Sequence, residues 1–98
     1  MKIRAKNREQ TVDMTLPVTD MDMQYCMKCI GIEDVMPVCC ISEVRDEPPY
    51  FGFLKGQTVN MDELNFFARR LDGMTEYEKR VVGVYSSETG MREMKQLI

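Results

Sequence analysis

The chain contains no histidine and no tryptophan among its 98 residues. Histidine is the usual general acid and base near neutral pH and the commonest metal ligand, so its absence argues against an enzyme. The sequence also has no glycine-rich phosphate loop and no serine or cysteine nucleophile paired with a base. We therefore expect a non-catalytic protein that needs no cofactor and no metal.

Long apolar stretches are missing as well. No run of about 18 apolar residues occurs, so no membrane-spanning helix is predicted. The N-terminus, residues 1–8, is basic but lacks the apolar segment of a signal peptide, and a cytoplasmic location is the default expectation. A chain of 98 residues is long enough for one domain with a single core.

Charge is small in total but unevenly distributed. The formal net charge is −3, from thirteen basic and sixteen acidic residues. Four of the basic residues precede Glu9, which leaves nine basic against sixteen acidic residues, a net charge of −7, for the rest. Such an acidic body is not typical of a protein that binds phosphates. The N-terminal basic residues alternate with apolar ones, which favours the outer face of a strand.

The clearest secondary-structure signal lies between Gln57 and Gly73. Asn60 is a favoured N-cap residue, Glu63 stands where a capping box needs it, and Gly73 is the expected stop. Between them, apolar residues recur at helical spacing and form one face: Met61, Leu64, Phe67, Ala68 and Leu71. The sequence therefore predicts a helix over 61–72 that packs this face into the core.

Alternation and β-branched residues predict the strands. Residues 2–6 and 11–18 alternate between polar and apolar, and the polar residues 7–10 between them predict the turn of a hairpin. Residues 36–44 are rich in β-branched and small apolar side chains and predict a largely buried strand. A further short strand is expected at Tyr50 to Leu54.

Two more helices are predicted from their caps. Thr19 is a favoured N-cap for a helix over 20–30, and Thr75 with Glu78 forms a capping box for a helix over 75–86. The latter carries an apolar stripe: Tyr77, Val81, Val84 and Tyr85. The expected fold class is α+β, with a small antiparallel sheet of three to four strands packed against about three helices.

The C-terminal residues begin another apolar stripe. Met91 and Met94 are followed by Leu97 and Ile98 at the very end, with no helix cap after them. Because such an end is unusual for a complete chain, we expect residues 1–98 to form a single N-terminal domain of a longer protein.

The four cysteines occur as two pairs, Cys26 with Cys29 and Cys39 with Cys40. Four thiolates could in principle bind zinc. However, adjacent strand residues point to opposite faces, so Cys39 and Cys40 are poorly placed to share one metal. The other pair lies toward the C-terminal end of a predicted helix, whereas redox-active pairs sit at helix N-termini. We expect free, reduced thiols in preference to a zinc site or a redox pair.

The sequence also resembles a known family. The segment from Asn60 to Leu71 (NMDELNFFARRL) is similar to the most recognisable stretch of the antirestriction ArdA family, in which an acidic turn precedes Glu-Leu-Asn, aromatic residues, alanine and a basic pair. Flanking features stand in matching order: Leu16-Pro17, Cys29-Ile30-Gly31-Ile32, Tyr50-Phe51-Gly52 and Thr75-Glu76-Tyr77-Glu78. The resemblance covers residues 11–98 and is strongest to ArdA-like proteins of gut Firmicutes and their mobile elements.

This resemblance implies DNA mimicry. ArdA proteins are acidic, elongated dimers that occupy the DNA-binding groove of type I restriction-modification enzymes. A type I enzyme is thus the expected partner and a homodimer an expected assembly, with no direct contact to nucleic acid or membrane. B-DNA carries one charge per about 1.7 Å of its axis, and carboxylates on a convex surface can imitate that array. The alternative is a non-enzymatic interaction or scaffold module of a mobile element, which keeps the fold without the mimicry.

Four acidic residues are the candidates for contact with the partner. Asp46 and Glu47 belong to a loop that two following prolines stiffen, and Asp72 and Glu76 flank a tight turn between two predicted helices. Other acidic residues in first turns, such as Asp20 and Asp62, are explained by helix capping.

Overall fold

A β-hairpin begins the chain. The computed structural model describes residues 1–45 and 51–89, with side chains to residue 85. Strands β1 (Lys2–Asn7) and β2 (Gln10–Thr15) pair antiparallel, with Asn7 opposite Gln10. Arg8 adopts a φ of 58° in the two-residue turn, a left-handed conformation that tight hairpins require. The hairpin predicted from alternation is confirmed.

Two further strands complete an antiparallel sheet. Strand β3 (Val38–Arg45) pairs with β1, and a register shift next to Arg4 marks a β-bulge. Strand β4 (Thr58–Asn60) pairs with β3, so the strand order is β2-β1-β3-β4. The predicted antiparallel sheet is confirmed. The sequence did not predict β4, because three residues are too few for a periodic pattern.

The short strand predicted at residues 50–54 is wrong. Gly52–Leu54 form a turn of 3₁₀-helix, while residue 50 lies outside the described residues. The reason is the spacing of the apolar side chains. Phe51 is 2% exposed and Leu54 is fully buried, and the backbone N–H of Leu54 donates to the Phe51 carbonyl at 3.1 Å. Residues three apart face the same side in a 3₁₀ turn but opposite sides in a strand.

Three helices are present among the described residues: α1 (Asp20–Cys29), α2 (Met61–Asp72) and α3 (Glu76–Thr89). All three match predicted helices to within a few residues. The Thr19 hydroxyl accepts from the backbone N–H of Asp22 at 3.1 Å, as a helix cap should. The side-chain oxygen Oδ1 of Asn60 accepts from the backbone N–H of Asp62 at 2.9 Å and from that of Glu63 at 3.2 Å. None of these helices is long and apolar enough to cross a membrane.

The core lies between one face of the sheet and helices α1 and α2. Ile3, Ala5 and Ile41 point from the sheet into it and are at most 3% exposed. From α2, the predicted apolar face contributes residues that are almost fully buried: Met61, Leu64, Phe67, Ala68 and Leu71. The ring of Phe67 meets that of Phe51 edge to face, with centroids 5.6 Å apart.

The apolar stripe predicted for α3 does not face the core. Tyr77 is 75% exposed and Val81 is 49% exposed, and the two later members of the stripe, at 84 and 85, are also exposed. Val82 instead packs against the core cluster. An amphipathic stripe shows only that one side of a helix is apolar, and the direction in which α3 leaves α2 decides which side meets the core. The C-terminal stripe at residues 91–98 lies outside the described residues.

Candidate functional site

The four predicted partner-binding residues divide into two pairs. Asp72 is the last residue of α2 and Glu76 the first of α3, so both flank the tight turn between these helices. Both side chains are exposed, and the Glu76 carboxylate lies 3.7 Å from the Lys79 ammonium group. Asp46 and Glu47 lie outside the described residues. The chain therefore presents two of the four carboxylates at one corner of the domain.

The α2–α3 corner is fixed by a capping box. The N–H of Glu78 donates to the Thr75 hydroxyl at 3.2 Å, and the N–H of Thr75 donates to the Glu78 carboxylate at 3.4 Å. This reciprocal arrangement satisfies two backbone donors that a helix start leaves open. Glu78 is thus occupied by capping and Glu76 lies close to Lys79, while Asp72 is exposed and has no ion pair among the described residues.

A second acidic region lies at the other end of α2, where the sequence did not predict a site. Helices α1 and α2 and the loop of residues 31–37 enclose a groove of about 620 Å³, which we call the α1–α2 groove. Its floor is apolar, with Met23, Met27 and Ile32 at most 7% exposed. Four carboxylates line it: Asp20, Glu33, Asp34 and Asp62.

The 31–37 loop is anchored where it leaves α1 and where it enters β3. At its start, the N–H of Ile32 donates to the Met27 carbonyl at 2.8 Å. The preceding carbonyl, that of Ile30, accepts from the Asn7 side chain at 2.8 Å. At its end, the Pro37 carbonyl accepts from the N–H of Met61 at 2.8 Å. These bonds hold one wall of the groove against the hairpin, α1 and the first residue of α2.

Asn65 and Arg69 of α2 fix the other side of the groove. The Asn65 side chain accepts from the Val18 N–H and donates to the Val18 carbonyl, both at 2.9 Å. Arg69 donates to the same carbonyl at 2.8 Å and to the Asp20 carboxylate at 3.3 Å. Both residues join α2 to the segment that begins α1, so the spacing of the two helices is set by specific hydrogen bonds.

Two basic residues stand among the four groove carboxylates. Arg69 is paired with Asp20, whereas Lys28 has no ion pair within the described part of the chain. Asp20 and Asp62 also face the positive ends of α1 and α2, which offsets part of their charge. Glu33 and Asp34 are exposed residues of the 31–37 loop. Neither lies at the N-terminus of a helix, and neither forms an ion pair with a described residue.

Comparison with protein-family models, with curated proteins and with solved structures finds no match to this chain. The resemblance to the ArdA family therefore rests on the quoted residues, foremost the segment that forms α2. The Asn60 cap and the buried apolar face explain the residue pattern of that segment as a helix. Any contact of α2 with a partner would have to be made by the charged residues that it exposes to solvent.

The outer face of the sheet carries a row of opposite charges. Arg4 lies opposite Asp13 on one side and Glu43 on the other. It donates to Asp13 at 2.7 and 3.3 Å, and Lys55 lies 3.7 Å from Glu43. The hydrogen bond from Arg4 holds the pKa of the Asp13 carboxyl below its ordinary value. Because the apolar residues of β1 point inward, Lys2, Arg4 and Lys6 lie on the outer face of the strand, as the alternation predicts, whereas Arg8 lies in the hairpin turn.

All four cysteines are free thiols. Burial raises the pKa of the Cys39 thiol to about 11 and also raises the pKa of the Cys26 thiol. Cys29, by contrast, is exposed. Within residues 1–45 and 51–89 no three histidine, cysteine, aspartate or glutamate side chains are grouped so that they could hold a metal ion. Thiols with raised pKa values are poor nucleophiles and poor metal ligands.

Proposed function

We propose that this domain is a non-catalytic, ArdA-like antirestriction module that binds the DNA-binding groove of a type I restriction-modification enzyme. The observation that carries the proposal is the position of acidic side chains at both ends of α2. Asp62 stands at the first turn and Asp72 at the last, ten residues or about 15 Å apart along the axis. That distance corresponds to roughly four base-pair steps of 3.4 Å in B-DNA.

Three acidic residues of α2, Asp62, Glu63 and Asp72, stand against two basic ones, Arg69 and Arg70. Arg69 turns toward Val18 and Asp20, so part of its charge is balanced within the domain rather than by the carboxylates at the ends of α2. Asp72 and Glu76 add two exposed carboxylates at the α2–α3 corner, of which that of Glu76 lies 3.7 Å from the Lys79 ammonium group. A basic groove that normally binds a polyanion would meet carboxylates at both ends of one rigid helix.

The proposed binding is non-covalent and leaves the partner chemically unchanged. Carboxylates at fixed positions replace phosphates opposite the basic residues of the partner. Affinity should then fall as salt is added, because the attraction between exposed charges is screened over about 10 Å at 0.1 M ionic strength. Asp46 and Glu47, which the sequence places in a proline-stiffened loop, belong to the same proposed contact set.

Titration of the domain with a purified type I methyltransferase core tests the proposal. The wild-type chain should bind, and the variant D46N/E47Q/D72N/E76Q should bind several-fold more weakly with nearly unchanged stability, since surface charges contribute about 0–1 kcal/mol to folding. The variant D62N/D72N, which removes one carboxylate at each end of α2, should also bind more weakly. Its matched control is E9Q/D13N, which neutralises two carboxylates on the hairpin. Equal affinity for all of these proteins, or no binding at low salt, would contradict the proposal.

A second candidate function is a non-enzymatic interaction or scaffold module that keeps the fold without DNA mimicry. Exposed apolar side chains favour it. Val35 is 95% exposed and Met36 is 65% exposed beside the α1–α2 groove, and Tyr77 is 75% exposed on α3. Apolar surface of this kind has no counterpart on a duplex backbone but is typical of protein-binding patches. This candidate predicts binding to a protein with no competition by DNA at any salt concentration.

A further inference from the structure

The α1–α2 groove has the size and shape of a site for a short peptide segment. Its volume of about 620 Å³ falls in the range of ligand-binding clefts. Along α1 it runs from Asp20 to Lys28, which is about 12 Å at 1.5 Å per residue. An extended segment of about four residues spans this length.

The groove offers an apolar contact mainly at its rim. Met23 and Met27 lie beneath it and are only 2% and 3% exposed, so a bound segment would lie over them and remove little of their surface from water. Val35 lies on the rim and exposes 95% of its surface. Because a protein gains free energy when such surface is removed from water, an aliphatic side chain of the bound segment has a place to pack.

The negative charge on the rim of the groove favours basic residues in the bound segment. Glu33, Asp34 and Asp62 have no ion pair among the described residues, and against them stands the single unpaired charge of Lys28. A bound segment with lysine or arginine next to its aliphatic residue would complement this excess of negative charge. An acidic segment would be repelled by the same carboxylates.

We propose that the α1–α2 groove binds a short extended segment of a partner protein in which an aliphatic residue is flanked by lysine or arginine. The walls are formed before binding, since Asn65 and Arg69 hold α2 to Val18 and the Met61 N–H holds the end of the 31–37 loop. A preformed groove spares the ordering of its own side chains on binding. Asp62 lines this groove and also belongs to the contact set of the function proposed above. The test below leaves Asp62 unchanged and uses no type I enzyme, so the failure of one proposal is distinguishable from the failure of the other.

Methyl NMR of the whole chain, labelled with [methyl-¹³C]methionine, tests the site directly. The probe is the acetylated and amidated tetrapeptide Arg-Leu-Leu-Lys. It should shift the methyl signals of Met23 and Met27 in a saturable way and leave unchanged that of Met14, which lies in β2 and does not line the groove. The peptides Glu-Leu-Leu-Glu and Arg-Ser-Ser-Lys should shift neither signal at the same concentration.

The variant E33Q/D34N separates charge recognition from folding. Both side chains are exposed, so the fold should persist while the dissociation constant rises by about three- to tenfold, in keeping with the modest strength of exposed ion pairs. The matched control E9Q/D13N makes the same change of charge on the hairpin and should bind the probe like the wild type. The proposal is overturned if no shift appears up to millimolar peptide, if Met14 shifts as much as Met23 and Met27, if the acidic peptide binds equally, or if E33Q/D34N binds unchanged.

Discussion

The Asn65 side chain of α2 is hydrogen-bonded to both backbone groups of Val18. The two bonds are each 2.9 Å long, and Asn65 is only 3% exposed. A buried amide is costly unless its donors and acceptor are satisfied, and here the backbone just ahead of α1 supplies the partners. One side chain therefore joins the helix that organises the core to the segment that begins α1, and it sets one side of the groove.

Replacement of Asn65 by leucine should lower the free energy of unfolding by about 1–3 kcal/mol. The new side chain is similar in size, but it leaves the N–H and carbonyl of Val18 with fewer partners in a partly buried position. Equilibrium urea denaturation measures the change. Gln24→Leu, at an exposed position on α1, is the control and should stay within about 0.5 kcal/mol of the wild type. A similar loss in both variants would mean that Asn65 has no special role.

Adjacent phenylalanines on α2 allow a sharper test of the core. Phe67 is fully buried, whereas Phe66 is 53% exposed. Phe67→Ala should cost about 2–5 kcal/mol because it leaves a cavity against Phe51, and Leu64→Ala should cost about as much. Phe66→Ala makes the same chemical change and should cost much less. Chemical denaturation that ranks Phe66→Ala with Phe67→Ala would show that α2 packs through a different face.

The Arg4–Asp13 pair predicts a dependence on pH. Asp13 has a lowered pKa in the folded chain, so it stabilises the fold above its ordinary pKa, and this contribution is lost as the pH falls through the lowered value. The effect is thus confined to pH below about 4. Carboxyl ¹³C NMR should find the Asp13 pKa below its ordinary value, and Arg4→Gln should return it toward that value. An Asp13 pKa unchanged by Arg4→Gln would contradict the pairing.

The cysteines should react in an order that follows burial. Cys29 is exposed and should be alkylated first by iodoacetamide, while Cys39, with its pKa raised to about 11, should react last. A shift from 9.0 to about 11 leaves Cys39 with about 100-fold less thiolate near neutral pH. Mass spectrometry of peptides after timed alkylation gives the order.

Thermal unfolding should be the same with and without a strong chelator, and a large loss of stability on chelation would reveal a metal site.

Local sequence signals were sufficient for the helices and most of the sheet. Thr19, Asn60 and Thr75 each cap a helix through atoms within three residues, so the helix starts can be predicted without knowledge of the fold. Alternation likewise predicts the hairpin, because β1 and β2 are joined by a short turn. The sequence failed where an element is too short for a pattern, as in β4, or where two apolar residues are spaced for a 3₁₀ turn, as in Phe51 and Leu54.

The candidate groove could not be predicted for a different reason. Its carboxylates come from three segments that are distant in sequence: Asp20 in α1, Glu33 and Asp34 in a loop, and Asp62 in α2. Asp20 and Asp62 are each explained by the first turn of their own helix, so the sequence does not indicate that they line the same groove. The one local signal was Glu33-Asp34. These two acidic residues follow the end of a helix and do not directly precede another helix, so helix capping does not explain them. The packing of α1 beside α2 brings them together.

Competition with duplex DNA for a purified type I methyltransferase core shows whether this domain mimics DNA. A fluorescent duplex is bound to the enzyme at low salt, the domain is added in large excess, and fluorescence anisotropy follows release of the duplex. DNA mimicry predicts displacement that weakens steeply as salt rises and that D46N/E47Q/D72N/E76Q reduces several-fold, while E9Q/D13N behaves as wild type. Duplex that stays bound at low salt under a large excess of the domain would contradict the claim.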